Sequence, residues 1–238
     1  MNKFRLPLAD ADVLYDPAFI DEQQADEWFK QLLDINGWYQ PTLKMYGREI
    51  TQSRKIAAYA TDPTLVVKYS GQVVNMQYDY PPVLKQMQQE IESRLGGVKF
   101  NHCMLNLYED GKVYIGNHRD NRENRVIASL SLGAPRTFIM RHDSRSGKMA
   151  MKGSKTDKAM SNAAATEDPP EPSTDDLGKL DEDGDGKDSL LYEKKWTLAN
   201  GSLVIQQGAT QEKWKHEIPK EPKIKQARIS VTWRQLVF

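Results

Sequence analysis

Cysteine is almost missing: Cys103 is the single one in 238 residues, which excludes an intramolecular disulfide framework and fits a reducing compartment. It lies in an apolar run, as a buried, inert thiol would. Long apolar runs are missing too. No stretch of about 18 apolar residues occurs, so no membrane-spanning helix is expected, and Met1 to Asp10 lacks the apolar centre of a signal peptide. Nor is there an excess of either charge. Thirty-three basic residues balance 33 acidic ones, which argues against unselective coating of nucleic acid but leaves room for a local basic groove. What remains is a chain long enough for one good-sized core, expected to be soluble, intracellular (nuclear or cytoplasmic), monomeric and without membrane contact.

Asp21-Glu22-Gln23-Gln24 opens a helix with a capping-box arrangement, and Ala25, Trp28, Phe29, Leu32 and Leu33 follow at helical spacing. The helix ends near Asn36-Gly37. A second helix opens at Pro81-Pro82, aligns Leu84, Met87, Ile91 and Leu95, and stops at Gly96-Gly97. Both are expected to buttress a sheet. Between them, Met45 to Gly71 mixes strand and turn character and interleaves Tyr46, Arg48, Arg54, Lys55, Tyr59, Lys68 and Tyr69, a composition that suits phosphate contact and base stacking as well as it suits a solvated ribbon.

From His102 the pattern turns to β. His102 to Tyr108 alternates, so Asn106 and Tyr108 share a face, and Asp110-Gly111 offers positive-φ residues for a hairpin. Further strands are expected at Val126 to Leu132, Arg136 to Arg141, Trp196 to Leu198, Ser202 to Gln206 and Arg228 to Val237. Short strands at this density predict a mainly β fold with flanking helices, a sandwich or jelly roll. Ser144 to Lys187 does not share the pattern: it is rich in Ser, Lys, Asp, Glu, Gly and Pro and reads as a disordered insertion between two strands. Its Asp181-Glu182-Asp183-Gly184-Asp185-Gly186 imitates the start of a calcium loop, but Tyr192 stands where the closing glutamate is required.

Chemistry concentrates at Asn117-His118-Arg119-Asp120. Residues two apart in an extended segment point the same way, so His118 and Asp120 can present a nitrogen and an oxygen to one ion. A two-histidine, one-carboxylate site for Fe(II) needs a further histidine from elsewhere, and His102, His142 and His216 are the choices. Downstream, Ala227 to Arg234 alternates strictly, with Ile229, Val231 and Trp233 on one face and Arg228, Ser230, Thr232 and Arg234 on the other. The two arginine Cα atoms stand about 20 Å apart on a strand, and inward-leaning arms leave a gap the length of a small dicarboxylate. Guanidinium forks suit carboxylates at both ends.

Asn106-Leu107-Tyr108, His118-Arg119-Asp120, and His216 followed by Arg228 and Arg234 with five residues between them together resemble the AlkB-like Fe(II)/2-oxoglutarate dioxygenases, oxidative demethylases of nucleic acid. The likeness runs from about Tyr46 to the C-terminus with one large interruption. It implies a double-stranded β-helix over residues 101–238, interrupted at about 144–187, beneath N-terminal helices and a nucleotide-recognition lid in residues 1–100. It also implies Fe(II) held by His118, Asp120 and His216, with 2-oxoglutarate and dioxygen as co-substrates. Arg228 and Tyr108 would hold the distal carboxylate, Asn106 and Arg234 the iron-proximal end, and Thr232 would line the same pocket. The expected partner is alkylated DNA or RNA, met by Tyr46 as a wedge, by Arg54, and by Tyr69 and Ser70 of the lid. Where repair enzymes of the family often carry acidic residues after the aspartate, this chain has Asn121 and Arg122, so Arg122 is read as a phosphate, solvent or base contact. Two other readings stay open: a 2-oxoglutarate dioxygenase acting on a protein or small molecule, and a jelly-roll binding module without catalysis.

Overall fold

The computed structural model describes residues 4–45, 48–69, 72–144 and 190–237. In chain order its strands begin with β1 (Asp12–Asp16), β2 (Thr42–Met45), β3 (Arg48–Thr51), β4 (Lys55–Ala60), β5 (Lys68–Tyr69), β6 (Gln72–Val73) and β7 (Met76–Gln77). They continue with β8 (His102–Tyr108), β9 (Ile115–His118), β10 (Asn124–Gly133), β11 (Arg136–His142), β12 (Glu193–Leu198), β13 (Leu203–Gln207), β14 (Trp214–Ile218) and β15 (Arg228–Leu236). The helices are α1 (Glu22–Leu33), α2 (Pro82–Arg94) and the short α3 (Thr210–Lys213).

β15 sits inside a seven-stranded sheet, ordered β1-β13-β10-β15-β8-β4-β7, and its alternation decides what each face meets. Ile229, Val231 and Trp233 are fully buried in the larger core, together with Trp28 and Leu32 of α1 and Leu84, Met87 and Ile91 of α2. The helices therefore cover one face of this sheet, as their periodicity predicts. α1 is fixed at its start by Asp21, whose Oδ1 accepts from the Gln24 amide at 2.8 Å, a cap worth about 1 kcal/mol. It ends at Leu33, which is exposed. α2 starts at Pro82 without a side-chain cap and gives way to Gly96 and Gly97, both at positive φ, a conformation glycine adopts without steric cost.

The other face of the large sheet looks toward a four-stranded sheet, β12-β11-β14-β9. Between them lies a second cluster with Val13, Tyr108, Phe138, Met140, Val204 and Trp214. Two facing, mainly antiparallel sheets make this a jelly roll, the expected class. β1, β4 and β7 of the first hundred residues are built into the large sheet, while β2–β3 and β5–β6 form separate two-stranded ribbons.

Asp110-Gly111 does not make a hairpin. β8 pairs with β4 and β15, whereas β9 belongs to the opposite sheet beside β14, so the segment is a crossover between sheets. Gly111 is not at positive φ; it is needed because a Cβ there would collide with the Glu221 carbonyl. Apart from Ser144, the expected insertion and its calcium-like stretch lie outside the described residues, as do Tyr46 and Ser70. Cys103 is free and fully buried, and burial pushes its thiol well above the usual range. No helix among the described residues is long and apolar enough to cross a membrane.

Candidate active site

The site is set by β14 and β9. Along β14, Trp214, His216 and Ile218 are buried while Lys215 and Glu217 lie on the less buried face, and His216 pairs directly with His118 of β9. The two imidazoles meet edge to face, 4.4 Å between centroids. Two residues on, Asp120 brings Oδ2 to 3.7 Å from His216 Nε2, while its Oδ1 accepts from Arg234 Nη2 at 2.9 Å. His118 Nδ1 is 2.8 Å from the Gly116 carbonyl. A carbonyl only accepts, so the ring proton sits on Nδ1 and the Nε2 lone pair is free for a metal. Among the described residues no three His, Cys, Asp or Glu side chains form a closed metal-binding group; these donors are gathered, with Arg234 as the present partner of Asp120.

Their electrostatics match that use. Burial, above all, holds His118 below its ordinary pKa and brings His216 down to about 3; neutral imidazole is the form that ligates metal. Burial by itself would raise the Asp120 carboxyl, yet the neighbouring Arg234 guanidinium and the two histidines bring it down to about 2.

The polar face of β15 forms the cavity wall beside these donors. Arg228, Ser230, Thr232 and Arg234 all line it, facing Asn106 and Tyr108 from β8. Ser129 Oγ and Thr232 Oγ1 are 3.1 Å apart. Arg228 is 2% exposed, its Nη2 donates to Ser131 Oγ at 2.9 Å, and its Nε and Nη1 meet no acceptor. Burial lowers its pKa from the usual value. A buried guanidinium with unmatched donors has the chemistry that suits a carboxylate or phosphate.

Of the residues singled out in the sequence, Asn106, Tyr108, His118, Asp120, His216, Arg228, Thr232 and Arg234 line this one cavity. Arg54, expected to meet the substrate, also lines the cavity. It is buried, and its Nε donates to Asn106 Oδ1 at 2.8 Å. Arg54 precedes Ile56, Ala58 and Ala60 at two-residue intervals, a signal that could have placed it inside. Arg122 is not brought to the cavity; it lines a separate groove with Asp12, Arg125 and Gln211. Tyr69 ends β5, and nothing of its side chain is described. His142 stays away, 2.7 Å from Ser144 Oγ. Sequence reasoning missed Ser131, the Gly116 carbonyl, and the brace from Arg119, which donates to both oxygens of Asp143 at 2.7 and 2.8 Å and to the Glu212 carbonyl at 2.7 Å.

The chain belongs to the 2OG-Fe(II) oxygenase superfamily, whose family model matches residues 12–234. Within it the chain is similar to proteins named as AlkB homologues. It is 28% identical over 234 residues to the DNA oxidative demethylase ALKBH2 of Arabidopsis thaliana, covering 94% of this chain and 66% of that protein. To the alpha-ketoglutarate-dependent dioxygenase alkB homolog 3 of Homo sapiens it is 30% identical over 222 residues, covering 92% and 64%. The chain thus spans slightly less than two thirds of either relative. Among solved structures, OsALKBH1 superposes with a TM-score of 0.51 at 13% identity, covering 94% of this chain and 97% of that one. A prolyl hydroxylase from Trichoplax adhaerens reaches 0.50 at 12% identity, covering 93% and 82%. These two likenesses show the fold alone. Fe(II), 2-oxoglutarate and dioxygen are the requirement that the superfamily implies, and the donor set fits it: two neutral imidazoles and a carboxylate for the ion, and unmatched guanidinium N–H groups for the diacid.

Proposed function

We propose that this protein is an Fe(II)/2-oxoglutarate-dependent dioxygenase that removes N-alkyl groups from bases of DNA or RNA, acting as a monomer in the nucleus or cytoplasm. One observation carries the reading: His118, Asp120 and His216 converge in the wall of the cavity that also receives the unmatched donors of buried Arg228. His118 through Nε2, His216 and Asp120 would hold Fe(II). Arg228, backed by Ser131 and Tyr108, would fix the far carboxylate of 2-oxoglutarate, and Asn106 and Arg234 the end nearer the metal, with Thr232 between. Arg54 holds the Asn106 amide in place. Fe(II) held there would supply the activation of dioxygen that couples oxidation of 2-oxoglutarate to succinate and carbon dioxide with hydroxylation of an N-methyl carbon. The resulting hemiaminal collapses to formaldehyde and the unmodified base, so the chain's own task is to hold diacid and methyl group in line.

Within residues 1–100 the two ribbons would supply the lid over a catalytic core of 101–238 that β1, β4 and β7 complete, and Tyr46, Tyr69 and Ser70 would be substrate contacts. Arg122, outside the cavity, would meet the phosphate backbone. The test is formaldehyde release from methylated single- and double-stranded oligonucleotides by protein supplied with Fe(II) and 2-oxoglutarate. Asp120→Ala should abolish turnover while cooperative unfolding persists; wild-type turnover in that variant would refute the metal assignment. Succinate formed only in the presence of a protein or small-molecule substrate would keep the cofactors and replace the nucleic acid.

A further inference from the structure

A second cavity lies against Asp120. His102, Arg119, Asp120, Asn121, Asn124 and Arg234 contribute its polar wall, and the rest of the lining is apolar. Its volume is about 50 Å³, more than a water molecule requires. His102 is the register partner of Arg234 across β8 and β15 and is 1% exposed. Neither of its ring nitrogens meets a partner, and the same holds for Arg234 Nη1 and Asn124 Oδ1. Burial first, then the Arg234 charge, brings the His102 imidazole down to about 3, so at neutral pH it offers one donor and one acceptor. Arg234 adds a donor and Asn124 an acceptor. Water, which donates and accepts twice, complements this set; hydrocarbon would leave every member unpaired.

We propose that this cavity is a buried-water site through which His102, as a positioning residue, fixes the Arg234 guanidinium and so the orientation of the Asp120 carboxylate. The inference rests on the reading of Asp120 as a metal ligand. Arg234 Nη2 already grips Asp120 Oδ1; engaging Nη1 through water stops the guanidinium plane from turning, and Oδ2 stays beside His216.

Mn(II), which binds such sites without turnover, tests this by titration calorimetry on the full chain, alone and with 2-oxoglutarate. His102→Leu should weaken Mn(II) binding about tenfold, the scale of outer hydrogen-bond partners of metal ligands. His102→Gln keeps a donor and an acceptor and should recover most of that loss. A high-resolution crystal structure should show ordered water in contact with His102. Wild-type affinity in His102→Leu, or no recovery in His102→Gln, overturns the proposal. So does a variant with intact Mn(II) affinity and a raised KM for methylated oligonucleotide alone, which would turn His102 toward the substrate. If His102→Leu fails to fold, Asn124→Leu carries the same comparison from the opposite wall. Wild-type protein that binds no Mn(II) fails the metal reading itself, a result distinct from binding that His102→Leu leaves unchanged.

Discussion

Two buried arginines share the ring of Tyr108: the Arg136 Cζ lies 5.6 Å and the Arg228 Cζ 5.2 Å from its centroid. Their donors are treated in opposite ways. Arg136 gives Nε to Glu221 Oε2 at 2.9 Å, Nη1 to the Asp110 carbonyl at 3.2 Å, and Nη2 to the carbonyls of Val113 and Pro219 at 2.9 and 2.7 Å. Arg228 gives Nη2 to Ser131, and its Nε and Nη1 meet no acceptor. A buried cation costs several kcal/mol unless it is paired. Arg136 is paired by the fold and ties the crossover from β8 to β9 against the loop after β14. Arg228 keeps two donors without an acceptor, and on the proposed function that difference would separate a structural cation from a binding one.

The comparison breaks most visibly at Arg136. Arg136→Met strands Glu221 and several carbonyls and should cost about 3–5 kcal/mol in denaturant unfolding. Arg228→Leu should leave stability within about 1 kcal/mol of wild type, or raise it, while weakening 2-oxoglutarate binding about a hundredfold by calorimetry with Mn(II) present. Equal destabilisation by the two variants would erase the distinction. Glu221→Gln should cost about 2 kcal/mol at neutral pH. Burial pushes this carboxyl up, but hydrogen bonds from Thr137 and Arg136 outweigh it and hold the pKa below the usual range. The stabilisation is therefore complete above the unfolded-state value, roughly pH 4, and is lost as pH falls through the lower folded value. The gap between wild type and variant should close only in that acid window. Ser131→Ala, the mildest change, should cost about 1 kcal/mol or less and weaken 2-oxoglutarate binding a few-fold, about the worth of one hydrogen bond.

Where the sequence was legible, local periodicity and tertiary packing agreed. The alternation of Ile229, Val231 and Trp233 against Arg228, Ser230, Thr232 and Arg234 is reproduced face for face, and the spacing of His118 and Asp120 survives folding. Non-local pairing was not legible. β14 is five residues long, and its Lys215 and Glu217 disguise a strand whose meaning comes from the His118 register. Asp110-Gly111 carries a hairpin's local chemistry, yet the next strand joins the other sheet, which no turn signal encodes. The basic, aromatic neighbourhood of Arg54 points to a substrate contact but not to its acceptor, Asn106, which lies 52 residues away.

β11 and β12 run antiparallel, side by side. Arg141 faces Glu193 across the ladder, and the His142 amide donates to the Tyr192 carbonyl at 3.0 Å. The N-terminal segment fastens the returning strand through Leu191, whose amide donates to Pro7 and whose carbonyl accepts from Ala9. His142 and Tyr192 therefore stand on neighbouring rungs, about 5 Å apart. Between strand ends so clasped, a flexible linker of any kind would cost only about 0.6 kcal/mol more per doubling of its length. The rung is a port: a tag, a reporter or a whole foreign module could be spliced there, and the jelly roll would scarcely register its size.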